Sequence, residues 1–487
     1  MIKRILRNFS WLSVAVAAEL GLSMVVTAVL ARSLGVMTFG KYSLWLSFIA
    51  FFTPLYDFGL GPFSLREVAQ SPDTAAYHVR SVWRVKVILG GFGLAVVTAS
   101  AYLLGYFDDL ILGVAFLLLA ISQVVRTFSV LNRAILRAHE WMHLQAYIES
   151  ASNLGRLLLV LTVVLLDPNL VWICLALATV NFGEFLVTFR IIQARTSHTL
   201  SRDKEDQRKG FRDILKASVP FALYDLFNGM YMRADSVLVG TIAGLQAVAW
   251  YVAAYKIVTL IGLLPRTLMD GIYPILCKES KEAVLALTRK LFVVFALAAF
   301  PLCLVVTLFS PEIIGLIYGS QYQPASLALQ TLIWASFFVF GSSLLLAVLN
   351  ASKQERRVAK ISGIISVTGV VAYFLCISRW GYLGASAVSV GIEAAGLLLM
   401  FIVASREFER SPLSFGSFWR IVLAYGITVT TVWFLGARFS KVPSIFVALL
   451  LYFMISVYEV QRSTGILTIS RLAMAKSHLL SILRVVR

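Results

Sequence analysis

Thirteen ionisable residues stand inside stretches of this chain that are otherwise apolar. Eight are acids (Glu19, Asp57, Glu149, Glu184, Asp225, Asp235, Asp270 and Glu393) and five are bases (Arg126, Arg156, Arg233, Lys256 and Arg266). One charge at the centre of a bilayer costs about 3 kcal/mol, so thirteen facing lipid would cost on the order of 40 kcal/mol. Net fold stability is typically only ~5–15 kcal/mol. Most of these groups must therefore pair or face water, and a water-filled internal cavity meets that need. Counted from the ends of their stretches, Glu19, Asp225, Arg126, Arg156 and Glu393 lie nearest the midplane.

The bases speak to the class of ligand. A cavity for organic cations needs carboxylates and has little use for arginines. A phosphate or diphosphate needs Arg and Lys, which hold it by charge-assisted hydrogen bonds. Arg233, Arg126, Arg156 and Lys256 are thus the candidates for diphosphate contact. Asp57, Asp225, Glu19, Glu393 and Asp235 are the candidates for ion coupling or cavity polarity. Local alternatives stand beside these. Arg266 and Asp270 are four apart and can pair on one helix. Glu149 and Arg156, seven apart, share a face. Glu184 lies near a span end, from which it can reach the interface. Arg233 and Asp235 point to different faces. Asp57 opens the helix-weakening run Asp57-Phe58-Gly59-Leu60-Gly61-Pro62, where freed backbone N–H groups could meet its carboxylate.

Other chemistry finds less support. His139-Glu140-Trp141-Met142-His143 matches the H-E-x-x-H zinc-protease pattern, but it has no obvious third ligand. The four cysteines (Cys174, Cys277, Cys303 and Cys376) have no C-x-x-C spacing and fall in or beside apolar stretches, which reads as buried inert thiols. No metal site and no cofactor is expected. A membrane glycosyltransferase would need an external domain with placed carboxylates. The largest expected external segment, about 310–325, carries only Glu312.

The elements that must position these groups follow from composition. Hydrophobic residues make up 59% and charged residues 14% of the 487, against roughly 45–50% and about 25% in soluble domains. Disorder, a disulfide scaffold and an ordinary soluble enzyme are excluded. A span needs about 20 mostly apolar residues. Fourteen segments qualify: 9–31, 42–65, 87–107, 110–132, 144–166, 169–190, 214–242, 248–276, 284–309, 326–349, 358–378, 382–404, 418–437 and 442–460. Each must be helical, because lipid cannot satisfy open backbone groups. Pro265 should bend or break the eighth.

The net charge of +18 suits loops on the inner membrane face better than nucleic acid. With the N-terminus inside, 33 of the 43 Lys and Arg fall in inner segments and 5 in outer ones. The positive-inside rule then places both termini in the cytoplasm. No cleavable signal peptide is convincing, since the first apolar run continues to Ala31.

Two separate segments repeat at nearly one offset. Gly59-x2-Pro62-x3-Arg66-Glu67 recurs as Gly271-x2-Pro274-x3-Lys278-Glu279, 212 residues on, and Leu136-x-Ala138-x7-Ala146 recurs as Leu349-x-Ala351-x7-Ala359, 213 on. Six spans per copy put the pseudo-two-fold axis along the membrane normal. The expected organisation is an N-lobe at 1–192, a cytoplasmic linker at 193–213, a C-lobe at 214–405, an extra hairpin at 406–460 and an amphipathic cytoplasmic tail at 461–487.

Arg32-Ser33-Leu34-Gly35-x3-Phe39-Gly40-x-Tyr42, Asp57-Phe58-Gly59-Leu60 and Arg66-Glu67 resemble the first hairpin of bacterial polysaccharide transporters. These are the lipid-linked oligosaccharide flippases of O-antigen, capsule and exopolysaccharide pathways. They belong to the superfamily of multidrug-and-toxin extruders and lipid II flippases. Pro220-Phe221, Arg233-x-Asp235-x3-Val239-Gly240, Ala249-x-Tyr251 and Tyr255-Lys256 extend the likeness over about residues 5–405. The resemblance implies an all-α polytopic membrane protein of the multidrug-extruder (MATE-like) type, with 14 transmembrane helices and alternating access between two six-helix lobes. It implies no enzymatic activity. The implied substrate is an undecaprenyl-diphosphate oligosaccharide, moved at the bacterial cytoplasmic membrane with its tail in lipid. The coupling ion would be H+ or Na+. Implied partners are membrane lipids and the polymerase and glycosyltransferases of the same pathway, with no nucleic acid. A small-molecule or drug antiporter of the same fold is the alternative.

Overall fold

The computed structural model describes residues 2–70, 75–196, 210–412, 419, 423, 425–431 and 452. Helix accounts for nearly all of them, and no strand occurs among the described residues. The helices are α1 (Ile2–Phe51), α2 (Thr53–Asp57), α3 (Leu60–Gln70), α4 (Ala75–Leu103), α5 (Leu110–Ala138), α6 (Met142–Leu166), α7 (Leu170–Thr196), α8 (Phe211–Leu238), α9 (Leu245–Leu276), α10 (Lys281–Leu308), α11 (Ser310–Tyr318), α12 (Ala325–Ala351) and α13 (Glu355–Glu407). A π-turn, Val239–Ala243, joins α8 to α9, and a 3-10 turn, Ser320–Tyr322, precedes α12.

Among the described residues, nine helical stretches are long and apolar enough to cross a membrane. The protein is therefore a multi-pass membrane protein. The seventh expected span, α8, is not one of the nine; it carries Asp225, Arg233 and Asp235 among its 28 residues. Most of the two last expected spans, most of the linker at 193–213 and the tail at 461–487 lie outside the described residues.

Two expectations about elements change. The second span is not one helix: it is the end of α1, then α2, then α3. Pro54 stands in the first turn of α2, and Phe58 (φ 50°) and Gly59 (φ 66°) turn left-handed after it. The last residues of α1 follow a kink at Gly35 (φ 72°). The break expected between spans 11 and 12 falls at Gly381 (φ 57°), a kink inside α13. Pro265 does not break span 8, for α9 runs through it. Neighbouring groups in membranes re-satisfy the carbonyl that a proline frees.

The turns between helices repeat. After α5 the left-handed residue is Glu140 (φ 60°); after α12 it is Lys353 (φ 60°), 213 residues on. Trp141 N donates to Leu136 O at 2.9 Å and Gln354 N to Leu349 O at 2.9 Å. Both are six-to-one bonds that close a helix C-terminus.

The chain divides into two compact units. The first holds Met1–Leu260, Ile314–Ala328 and Ser366–Val388; the second holds Ile261–Ile313, Leu329–Ile365 and Ser389–Arg487. In the first, Leu60, Phe63, Val82, Val85, Leu131, Ile135 and Ile214 join α3, α4, α5 and α8 in one core. In the second, Phe295, Phe340, Leu344 and Val348 join α10 to α12. Pro301 lies inside α10 and cannot donate to Leu297 O. The Tyr452 hydroxyl donates to that carbonyl at 2.6 Å. Tyr425 stacks on Phe300 at 3.7 Å and donates to Ala296 O at 2.6 Å.

Candidate functional site

The first unit gathers four of the five bases expected at bilayer depth. Arg126 on α5, Arg233 on α8 and Arg156 on α6 all act electrostatically on Lys256 of α9, as does Glu19 of α1. Helix pairing explains the meeting: α1 packs on α6, α5 and α8.

Each cation is held differently. Arg126 lies 3.5 Å from Glu19 Oε1, with both side chains more than one-third exposed (38% and 36%). Arg156 donates to Asn153 Oδ1 at 2.9 Å and Asn181 Oδ1 at 3.0 Å. Asn181 is itself fixed by donation to Ser122 Oγ at 2.7 Å. Lys256 donates to Ser23 Oγ at 2.5 Å. Arg233 is exposed and forms no hydrogen bond or ion pair among the described residues. Tyr42, from the Phe39-Gly40-x-Tyr42 motif, feels both Arg126 and Arg156.

So among the described residues three of the four cations rest on neutral acceptors or form no bond, and Glu19 is the one carboxylate ion-paired with any of them, although Glu184 also acts on Arg156. Asp235 acts on Arg233 from a buried position, but its oxygens accept from Tyr251 Oη at 2.7 Å and Ser236 N at 2.5 Å. The neighbourhood keeps an excess of positive charge, with forked donors held by amides. That arrangement suits a multivalent anion.

The acids divide. Asp57 pairs with Lys86 of α4, and Asp225 of α8 acts electrostatically on both without an ion pair to either among the described residues. Asp57 takes the Lys86 ammonium as its partner, which replaces the expected role of receiving backbone N–H groups. Glu393, on α13, belongs to the second unit and is half-buried. Arg266 also belongs to the second unit and is exposed. The side chain of Asp270 lies outside the described residues.

Two largely buried cations, Lys86 and Arg133, are not among the thirteen expected at bilayer depth. Lys86 is fully buried. Arg133 pairs with Glu149 at 3.2 Å and also with Glu184. Glu149 therefore does not neutralise Arg156, and Glu184 does not snorkel. Arg133 sits near the end of α5, where an apolar window runs out before the helix does. Its spacing to Asn132 and Arg137 gives no sign of partners on α6 and α7.

The H-E-x-x-H segment straddles a helix break. His139 caps α5, Glu140 is left-handed, and α6 starts at Met142. The two histidines thus lack the continuous helix that would put them on one face. His139 stacks on Trp141, with ring centres 4.6 Å apart. Among the described residues no group of three His, Cys, Asp or Glu could hold a metal ion.

Comparison with known proteins agrees with this frame. The family described as "Polysaccharide biosynthesis protein" matches residues 5–280. A Shigella flexneri protein named as an O-antigen transporter is 23% identical over 429 residues, covering 82% of this chain and 97% of that one. The fold is similar to that of the lipid II flippase MurJ in an inward closed conformation (TM-score 0.62, 14% identity, 91% of this chain and 97% of that one). It is also similar to a multidrug resistance MATE family transporter of the MOP superfamily, inward-facing (TM-score 0.61, 15% identity, 82% and 99%). With more than half of its length matched by one family, this chain is a member of the polysaccharide biosynthesis protein family.

Proposed function

We propose that this protein is a flippase that carries a polyprenyl-diphosphate-linked oligosaccharide across the bacterial cytoplasmic membrane for cell-surface polysaccharide synthesis. One observation supports the reading: Arg126, Arg156, Arg233 and Lys256 share one neighbourhood, and among the described residues Glu19 is the one carboxylate that forms an ion pair with any of them. A cavity for organic cations would have the opposite balance. Arg233 and Lys256 receive the diphosphate, Arg126 and Arg156 hold its far oxygens, and the prenyl tail stays in lipid. The halves 1–192 and 214–405 alternate access, both termini are cytoplasmic, and a cation gradient, with the proton as the ion, drives the cycle. The polymerase and glycosyltransferases of the same pathway act on the same substrate. The name of the Shigella flexneri relative supports the substrate class.

The test is surface polysaccharide in cells whose own copy is deleted. A charge-assisted contact is worth ~1.5–3 kcal/mol, which is roughly tenfold to a hundredfold in binding. Arg233→Gln and Arg156→Gln should each lower surface polysaccharide at least about tenfold, with membrane protein levels unchanged. Full export by several such variants would sink the site. Resistance to cationic dyes with normal glycans would instead favour a small-molecule antiporter of the same fold.

A further inference from the structure

Two arginines of the first unit are gripped by opposite chemistry. Arg133 sits between the carboxylates of Glu149 and Glu184. Arg156 meets amides instead. Its Nη1 donates to Asn153 Oδ1 at 2.9 Å, one turn earlier on α6, and its Nη2 donates to Asn181 Oδ1 at 3.0 Å, from α7. Asn181 Nδ2 in turn donates to Ser122 Oγ at 2.7 Å and to Ser122 O at 3.3 Å, on α5. Both asparagines are buried, and Asn153 makes no other hydrogen bond among the described residues. Arg156 itself is half-buried, and its other N–H donors bond to nothing among the described residues.

Asparagine is a poor helix former, because its amide competes for backbone groups. Two of them buried near the middle of apolar helices need a reason beyond the helix itself. Hydrogen bonding between helices is one such reason, and the Asn181–Ser122 pair supplies it. Aiming a guanidinium is the other. Each amide oxygen accepts from a different Nη, so α6 and α7 together fix the direction of the fork. An amide oxygen carries no net charge and leaves that of the cation to a ligand. A carboxylate at either place would neutralise it, because a tethered acid stays at saturating effective concentration and can take the fork with both oxygens. The other charges acting on Arg156 do not do so: Glu184 is bound to Arg133, Glu19 pairs with Arg126, and Arg126 repels.

We propose that Asn153 and Asn181 are positioning residues for an anion: they aim Arg156 without neutralising it, and their lack of charge is what lets Arg156 take an oxygen of a diphosphate. The inference rests on the diphosphate reading above and adds two uncharged residues to it. It also fixes an order of damage. A negative charge placed at these positions harms anion binding more than loss of the amide does.

The experiment is calorimetric titration of the purified full-length protein in detergent with farnesyl diphosphate, alongside thermal unfolding of each variant without ligand. Asn153→Asp and Asn181→Asp should each weaken binding at least about tenfold. Asn153→Ala should weaken it less than Asn153→Asp does, yet unfold at a lower temperature than Asn153→Asp. An asparagine that only ties helices together would put the alanine variant last in both measurements. Binding by Asn153→Asp as tight as that of Asn153→Ala, or tighter, would overturn the proposal. If Asn181→Asp is lost because Ser122 no longer has its donor, Asn153→Asp decides. Loss of Asn153→Asp as well would overturn the proposal, because an acid facing Arg156 is expected to fold. Arg156→Gln separates the two levels. If it weakens binding while Asn153→Asp does not, only the positioning role fails. If the wild type and Arg156→Gln bind farnesyl diphosphate alike, or neither binds it, the diphosphate site fails and the positioning role falls with it.

Discussion

Arg133 illustrates what a cation does at bilayer depth when it is structural. Its guanidinium joins Glu149 of α6 and Glu184 of α7 to α5, and Gln145 donates to the same Glu149 oxygen at 3.0 Å. The three side chains are 14%, 9% and 2% exposed. Two carboxylates and one guanidinium satisfy each other across three helices. Arg133→Ala would leave two acids buried without a partner, which costs about 3–5 kcal/mol when one member of a buried pair is lost. Lower yield and an earlier unfolding midpoint are expected, with partial recovery when Glu149→Gln and Glu184→Gln are added. Arg233 is the contrast. It is exposed, it has no partner among the described residues, and its removal should leave the unfolding midpoint unchanged while surface polysaccharide falls. Stability and export thus separate the two arginines.

At the scale of elements, close approach and carbonyl satisfaction decide which helices meet. Gly40 lets α1 touch the start of α9: a Cβ there would lie 2.0 Å from Leu245 O and 3.4 Å from the Ala249 Cβ. Gly59, left-handed at φ 66°, would put a Cβ 2.5 Å from the Phe221 Cβ. These contacts give a physical reason for the small residues in two motifs. Gly40→Val should prevent folding, read as loss of the protein from the membrane fraction, since backbone must move to admit it. Leu297 O, freed by Pro301, accepts the Tyr452 hydroxyl. Tyr452→Phe should lower stability by about 1–3 kcal/mol, the cost of a buried acceptor left unsatisfied. Pro301→Ala in the same chain should lessen that loss, because an alanine N–H at 301 can reach Leu297 O. A double-mutant cycle on the unfolding midpoint measures the coupling.

At the scale of the whole molecule, the first compact unit is closed on itself by segments distant in the chain. Arg32, after the first span, donates to Ile317 O at 2.9 Å and also to Leu316 O, in the last turn of α11. A cation there suits the negative end of a helix. Tyr322 donates to Ala31 O at 3.1 Å, and burial pushes the phenols of Tyr318 and Tyr322 upward, so both stay neutral. The alternating access proposed above predicts that this junction opens in one state. A cysteine at Ala31, fully buried now, should react slowly with a thiol reagent after the four native cysteines are replaced. Arg32→Ala should speed that labelling about tenfold, which corresponds to 1.4 kcal/mol of lost contact. No change in labelling rate would mean that Arg32 does not hold the junction.

The helical, multi-pass character was written in composition, because lipid leaves the backbone no other way to satisfy its polar groups. The family was legible in motifs around Gly35, Asp57 and Arg233, where short-range turn chemistry and charge survive in the order of residues. The candidate cations were legible too, since a charge in an apolar run is conspicuous wherever it points. Tertiary structure alone decided partners. Glu149 meets Arg133 rather than Arg156, Asp57 meets Lys86, and the H-E-x-x-H run breaks across a helix end. The physical reason is distance along the chain: Lys86 is 29 residues from Asp57, and Arg133 is 51 from Glu184. Helical period says which face a side chain takes, but only packing says what stands opposite it.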